Sequence, residues 1–142
     1  MNEGMYSSKE KEWGTPQHLF DELNKEFDFT LDPCATAANA KCKEFITKEQ
    51  NGLAIYWTGY RVFMNPPYGR EIGKWVEHAY NNVRLGQALV VGLLPARTDT
   101  AWFQDYIYKS VKEIRFLRGR LKFEGNNGVK NSAPFPSMVV IF

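Results

Sequence analysis

Arg61-Val62-Phe63-Met64-Asn65-Pro66-Pro67-Tyr68-Gly69 is the stretch on which the reading of the whole chain turns. Its first four residues form a short β-type run. Two successive prolines must end that run, because each lacks a backbone N–H and each biases the residue before it away from helix. Beyond Gly69, the residues Ile72, Trp75, Val76, Ala79, Tyr80 and Val83 recur at the spacing of one helical face. Strand, loop and helix come in that order, so Asn65 to Tyr68 stand at the carboxyl end of a strand. Ligands of open α/β sheets bind at such ends.

Downstream, Gln87 to Leu94 is an almost unbroken apolar run ending at Pro95, as expected of a central strand covered on both faces. A second strand-loop-helix unit passes through Thr98-Asp99-Thr100 and Trp102-Phe103. Residues 113 to 117 read as a further strand, Gly119 to Phe123 as the first arm of a C-terminal antiparallel hairpin, and Pro136 to Phe142 as a closing strand. Upstream, Thr15-Pro16 predicts a helix start, a capping hydroxyl followed by proline at the first helical position, with the helix covering about 16 to 26. Phe27, Phe29 and Leu31 then alternate with Asp28 and Thr30, a strand that runs into Asp32-Pro33. Cys34 to Tyr60 shows little regular pattern beyond a short strand near Phe45-Ile46 and a turn at Asn51-Gly52. Residues 1–12 are polar without periodicity and are expected to form a loose arm before a single domain over 13–142. The alternation of strands and helices predicts an α/β fold, a Rossmann-like, doubly wound, mostly parallel sheet.

With 142 residues the chain has material for one core. No apolar run approaches the roughly 20 residues needed to span a membrane. The start lacks the apolar stretch of a secretory signal, which makes the cytoplasm the expected location. Two cysteines are too few and too poorly placed for a zinc site, and no metal is expected. A net charge of +2 permits contact with phosphates without identifying a partner.

Asn65-Pro66-Pro67-Tyr68 suits one demanding task. An exocyclic amino group on an aromatic base is a poor nucleophile, because its lone pair is delocalised into the ring. Two acceptors aimed at its two hydrogens, the Asn65 side-chain oxygen and the Pro66 carbonyl, would localise that lone pair and stabilise charge where it develops. Pro66 and Pro67 stiffen the loop, and Tyr68 offers a flat face against which a base can stack. The bland alternative is that Asn-Pro-Pro-Tyr-Gly is a turn, since these are common turn formers. Its place between an apolar strand and an amphipathic helix favours the functional reading.

From Trp13 to Phe142 the sequence resembles the phage-encoded Dam-type DNA N6-adenine methyltransferases. The matching segments are Trp13-Gly14-Thr15-Pro16, Leu31-Asp32-Pro33-Cys34-Ala35, Met64 to Gly69, Leu94 to Phe103, Gly119 to Phe123 and Pro134 to Ser137. The resemblance implies methyl transfer from S-adenosylmethionine to adenine in DNA, with the base flipped out or unpaired. It also implies that Trp13, Thr15 and Pro16 lie against the methionine end of the cofactor. Asp32 would be the cofactor acid, with Pro33, Cys34 and Ala35 lining the same crevice and Asn65 facing it; a turn cap is the competing role for Asp32. The usual Phe-x-Gly-x-Gly after the first strand is replaced by Asp32 to Asn39. Ala and Thr there cannot take the positive φ that glycine allows, so the loop must differ in shape. An acid for the cofactor ribose is expected near Thr47, Glu49 or Gln50.

Arg97, Thr98 and Arg120 are candidate DNA contacts, with solvated surface as their alternative. Thr98, Asp99 and Trp102 could shape the base pocket, or Trp102 and Phe103 could pack the core, where Trp75 is expected. Any target-sequence preference would come from loops such as Gly125 to Ala133, or specificity would be broad. Two other functions keep the same residues: methylation of RNA adenine, and a non-catalytic DNA-binding or anti-restriction module on the same fold. A protein-glutamine enzyme would need a recognition domain for which the chain has no room. A cytosine-ring enzyme built on Pro33-Cys34 would not need Asn65 to Tyr68.

Overall fold

The computed structural model describes residues 13–125 and 130–142; the expected arm over 1–12 and the tip of the 125–133 loop lie outside them. The chain runs α1 (Gln17–Phe27), β1 (Leu31–Asp32), β2 (Glu44–Phe45), a 3-10 turn (Gly52–Ala54), β3 (Arg61–Met64) and α2 (Ile72–Gly86). It continues through β4 (Leu89–Pro95), α3 (Ala101–Tyr106), β5 (Glu113–Phe116), β6 (Lys122–Glu124), β7 (Lys130–Ser132) and β8 (Ser137–Ile141).

Val62, Phe63, Met64 and the run Val90 to Leu94 make the centre of the molecule because none of them has a polar group that needs water. Burying each such side chain stabilises the fold by about 1.5–3 kcal/mol. β3 and β4 pair in parallel from Arg61↔Leu89 to Met64↔Gly92, and β1 joins the other side of β3 through Leu31↔Val62. Six strands in the order β2-β1-β3-β4-β8-β5 form one mixed, mostly parallel sheet. β8 is the exception. It lies antiparallel between β4 and β5, as the closing strand of the chain.

The expected hairpin is present, but its first arm is β6, not Gly119 to Phe123. It pairs with β7 as a separate two-stranded sheet. Strand and helix at the decisive stretch fall where the sequence places them. On α2, Ile72, Trp75, Val76 and Ala79 are buried as predicted. Among the described residues no helix is long and apolar enough to cross a membrane.

Two expectations need correction. The strand over Phe27 to Leu31 shrinks to Leu31–Asp32, because α1 carries on through Phe27 and Asp28 turns left-handed at φ 54°. The Asn24 side chain then accepts from Phe29 N–H at 2.8 Å, closing the helix end. Phe29 is still buried, but in the connection between α1 and β1. The second correction concerns Thr15-Pro16: Pro16 is the residue before the helix, its carbonyl accepting from Leu19 and Phe20, and among the described residues no side chain caps α1. The Thr15 hydroxyl is engaged elsewhere, as described below.

Between β2 and β3 the chain is held by close packing. Trp57, fully buried, donates its indole N–H to the Gly52 carbonyl at 3.2 Å, and its backbone N–H goes to the Asn82 side chain at 2.6 Å. A side chain at Gly52 would stand 2.5 Å from the Pro33 carbonyl oxygen and 2.8 Å from the Trp75 ring. Only glycine lets the turn approach both. Gly52→Ala is therefore expected to cost about 1–3 kcal/mol of stability, as overpacking of a filled site does, seen as an earlier midpoint in urea unfolding.

Candidate active site

β3 ends at Met64, and the next residue presents a primary amide to the interior. Asn65 Nδ2 donates to the Trp13 carbonyl at 2.6 Å and to the Thr15 hydroxyl oxygen at 2.9 Å. A backbone carbonyl can only accept, so the NH2 end must face Trp13 and the orientation of the amide is settled. The other end, Oδ1, is buried and has no hydrogen-bond partner among the described residues. Leaving a buried acceptor unpaired costs about 1–3 kcal/mol, and such groups persist where a ligand is meant to complete them. Next to it, the Pro66 carbonyl takes no backbone hydrogen bond among the described residues.

The anchor comes from the segment before α1. Gly14 exchanges two backbone hydrogen bonds with Glu124 of β6, both 2.9 Å. A Cβ on Gly14 would lie 2.6 Å from the Glu124 carbonyl oxygen, so a side chain there would hold the two backbones apart. The Trp13 ring stands edge-on to Phe123 at 5.4 Å and to Phe135 at 5.5 Å.

Tyr68 departs from its expected presentation. Its ring is 7% exposed, its hydroxyl donates to the Leu93 carbonyl at 2.7 Å, and Phe135 meets it edge-on at 5.5 Å. Burial pushes its pKa well above the ordinary tyrosine value. Here it is a packed, neutral side chain that fastens the loop to β4. Pro66 is buried beside it and Pro67 is exposed.

Asp32, 5% exposed, ends β1. One of its oxygens accepts from Cys34 N–H at 3.2 Å and the other from Lys41 N–H at 3.1 Å, so it closes the loop between them. The turn-cap role is thus observed, and each oxygen retains a lone pair for a ligand. Desolvation raises its pKa, partly offset by those backbone N–H groups of Lys41 and Cys34. Lys41 Nζ reaches Gln17 at 2.7 Å and Glu124 at 3.7 Å, tying the loop to α1 and to the hairpin. Pro33 and Ala35 are buried, and Ala35 N–H bonds the Ile46 carbonyl at 3.1 Å. Burial pushes the Cys34 thiol up, and that of Cys42 up to about 12. Both are protonated at neutral pH and neither is poised as a nucleophile.

The remaining candidates spread outward. Arg97 and Thr98 are exposed just after β4, with the Arg97 guanidinium 5.7 Å over the Phe135 ring. Arg120 is exposed between β5 and β6. Phe103 is buried, and Trp102, half-buried, lies against Gly73 at the start of α2. Thr47 and Gln50 cap each other across one turn, while Glu49 is exposed. Sequence reasoning missed the Gly14–Glu124 bridge, the reach of Lys41 and the bond from Asn65 to Thr15. No local pattern signals any of the three.

A mostly parallel sheet thus carries Asn-Pro-Pro-Tyr at a strand end, with the asparagine oxygen unpaired among the described residues. Residues 4–142 match the DNA N-6-adenine-methyltransferase (Dam) family, and the chain belongs to it. It is 36% identical over 135 residues to the DNA N-6-adenine-methyltransferase of Haemophilus phage HP1 (strain HP1c1), covering 92% of this chain and 77% of that protein. It is also 38% identical over 64 residues to YfdM of Escherichia coli (strain K12), a candidate methyltransferase by its description, covering 40% of this chain and 70% of the other.

The raised pKa of Asp32 has a measurable sign. The folded protein holds that proton more tightly than the unfolded chain, so this group's contribution is greatest below its ordinary value of 3.8 and is lost as pH rises through the raised value. Across that window wild type should lose stability relative to Asp32→Asn, read as the difference in thermal midpoint between the two proteins from pH 3 upward.

Proposed function

We propose that this protein transfers a methyl group from S-adenosylmethionine to the exocyclic N6 of adenine in DNA, on a Rossmann-like, doubly wound sheet. The observation that carries this reading is the fixed Asn65 amide, whose one atom without a partner among the described residues is a buried acceptor. An adenine amino group has two hydrogens to give. With one on Asn65 Oδ1 and one on the Pro66 carbonyl, the nitrogen is drawn toward tetrahedral geometry and its lone pair is freed to act. A base inside a duplex cannot reach an atom so enclosed, so the target nucleotide is flipped out or already unpaired.

The residues near Asp32 fit a donor of this kind. Asp32 supplies a carboxylate for an ammonium group, at the carboxyl end of β1 and two strands' width from β4. Pro33, Cys34 and Ala35 flank it with small or apolar side chains, and Trp13 and Pro16, on either side of the pair that precedes α1, are further candidate contacts for the donor. Glu49, the exposed carboxylate after β2, is the candidate for the ribose hydroxyls. When bound, S-adenosylmethionine supplies a methyl group made electrophilic by its sulfonium. The chain's own part is to orient the amine, accept its hydrogens and exclude water. On the rim, Arg97 and Arg120 would neutralise DNA phosphates, with Thr98 beside them.

Incubation with radiolabelled S-adenosylmethionine and unmethylated DNA, followed by digestion to nucleosides, should yield labelled N6-methyldeoxyadenosine. Asn65→Ala should lower the rate about 100- to 1000-fold, the usual loss on removing one preorganised group that stabilises developing charge. Cofactor binding without transfer to DNA would sink the assignment and favour an RNA substrate or a non-catalytic module.

Arg97→Ala and Arg120→Ala should weaken DNA binding evenly across sequences. Each should reduce the slope of log affinity against log salt by about 1. An unchanged slope would assign the two residues to ordinary solvated surface.

A further inference from the structure

We infer that Thr15 is a positioning residue for methyl transfer, acting through Asn65 and not through the cofactor; this rests on the function proposed above. Thr15 is 3% exposed although its side chain is polar. Its hydroxyl does not cap the helix that follows, where such a residue is usually used. Instead its oxygen accepts from Asn65 Nδ2 at 2.9 Å, alongside the Trp13 carbonyl at 2.6 Å.

Two acceptors on one NH2 group leave that group no freedom to rotate. With the Trp13 carbonyl alone, one amide hydrogen is held and the plane can swing about that contact. With both, the plane is fixed and Oδ1 has a single direction. Direction matters here because Oδ1 must meet an amino hydrogen that is itself fixed by the flipped base, and misplacement by an ångström costs about 100-fold in rate. The clamp is also connected outward. Gly14, between the two anchoring residues, is bonded to Glu124 of β6 on both sides, so the hairpin holds the segment that holds Asn65.

The test compares Thr15→Val, which keeps the shape and loses the acceptor, with Thr15→Ser, which keeps the acceptor, and with Thr15→Ala. For Thr15→Val we expect kcat for adenine methylation to fall about 10- to 100-fold. The Kd for S-adenosylmethionine by calorimetry and the KM for DNA should stay within about twofold of wild type, and Thr15→Ser should restore kcat. Should Thr15→Val fail to fold, the ratio of Thr15→Ser to Thr15→Ala carries the same comparison. An unchanged kcat in the variants lacking the hydroxyl overturns the inference. So does a weakened cofactor Kd with kcat intact at saturating cofactor, which would make Thr15 a cofactor contact. The Asn65 side-chain amide signals of 15N-labelled protein give a readout that needs no turnover. Slow exchange in wild type, lost in Thr15→Val and kept in Thr15→Ser, supports the clamp even if the wild-type protein methylates no adenine. Fast exchange in wild type overturns it.

Discussion

A primary amide buried inside a protein has two donors and an acceptor to satisfy, and at Asn65 the described residues satisfy only the donors. Trp13 and Thr15, which take them, lie 52 and 50 residues upstream. The unpaired Oδ1 is costly on its own account, so the surroundings must hold Asn65 more firmly than that cost pulls against it. β3 does so from one side, its Val62, Phe63 and Met64 being almost wholly buried between β1 and β4. The Trp13–Thr15 segment does so from the other.

That segment cannot stand alone, and the contacts that support it define the site's architecture. Gly14 pairs with β6, and Trp13 sits edge-on against Phe123 and Phe135. Aromatic pairs in such geometry contribute about 0.5–1.5 kcal/mol beyond the area they bury. Lys41 joins the same hairpin strand to the loop closed by Asp32. Tyr68, through the Leu93 carbonyl, ties the Asn65 to Tyr68 loop to β4. Loop, hairpin and leading segment are therefore one connected unit. The hairpin lies outside the main sheet in hydrogen bonding yet braces the strand end that carries Asn65.

Much of this was legible in advance wherever the signal is local. Two prolines must end a strand, and Ile72 to Val83 repeat at helical spacing, so the strand, loop and helix around Asn65 could be read directly. The alternation of Phe27, Phe29 and Leu31 misled, because the same pattern arises when a helix end and a turn both face one core. Asn24 and the left-handed Asp28 decide between the two through a hydrogen bond that periodicity does not display. Thr15-Pro16 misled in the same way. Its residue types suit a helix cap, and the competing partner for the hydroxyl lay far along the chain. Tyr68 was expected to offer a flat face to a base, and residue type alone does not show how closely Phe135 and the Leu93 carbonyl enclose its ring.

The sequence by itself determined the alternation of strands and helices, the strand-end position of Asn65 to Tyr68, and the chemistry those residue types can perform. Each of these depends on neighbours a few positions away. Only the tertiary structure decided that β8 enters antiparallel between β4 and β5, that the hairpin braces the leading segment, and that Nδ2 of Asn65 is held while Oδ1 is free. Those outcomes depend on which distant groups meet once the core has closed. A hydrogen bond across 50 residues leaves no trace in the spacing of either partner's neighbours.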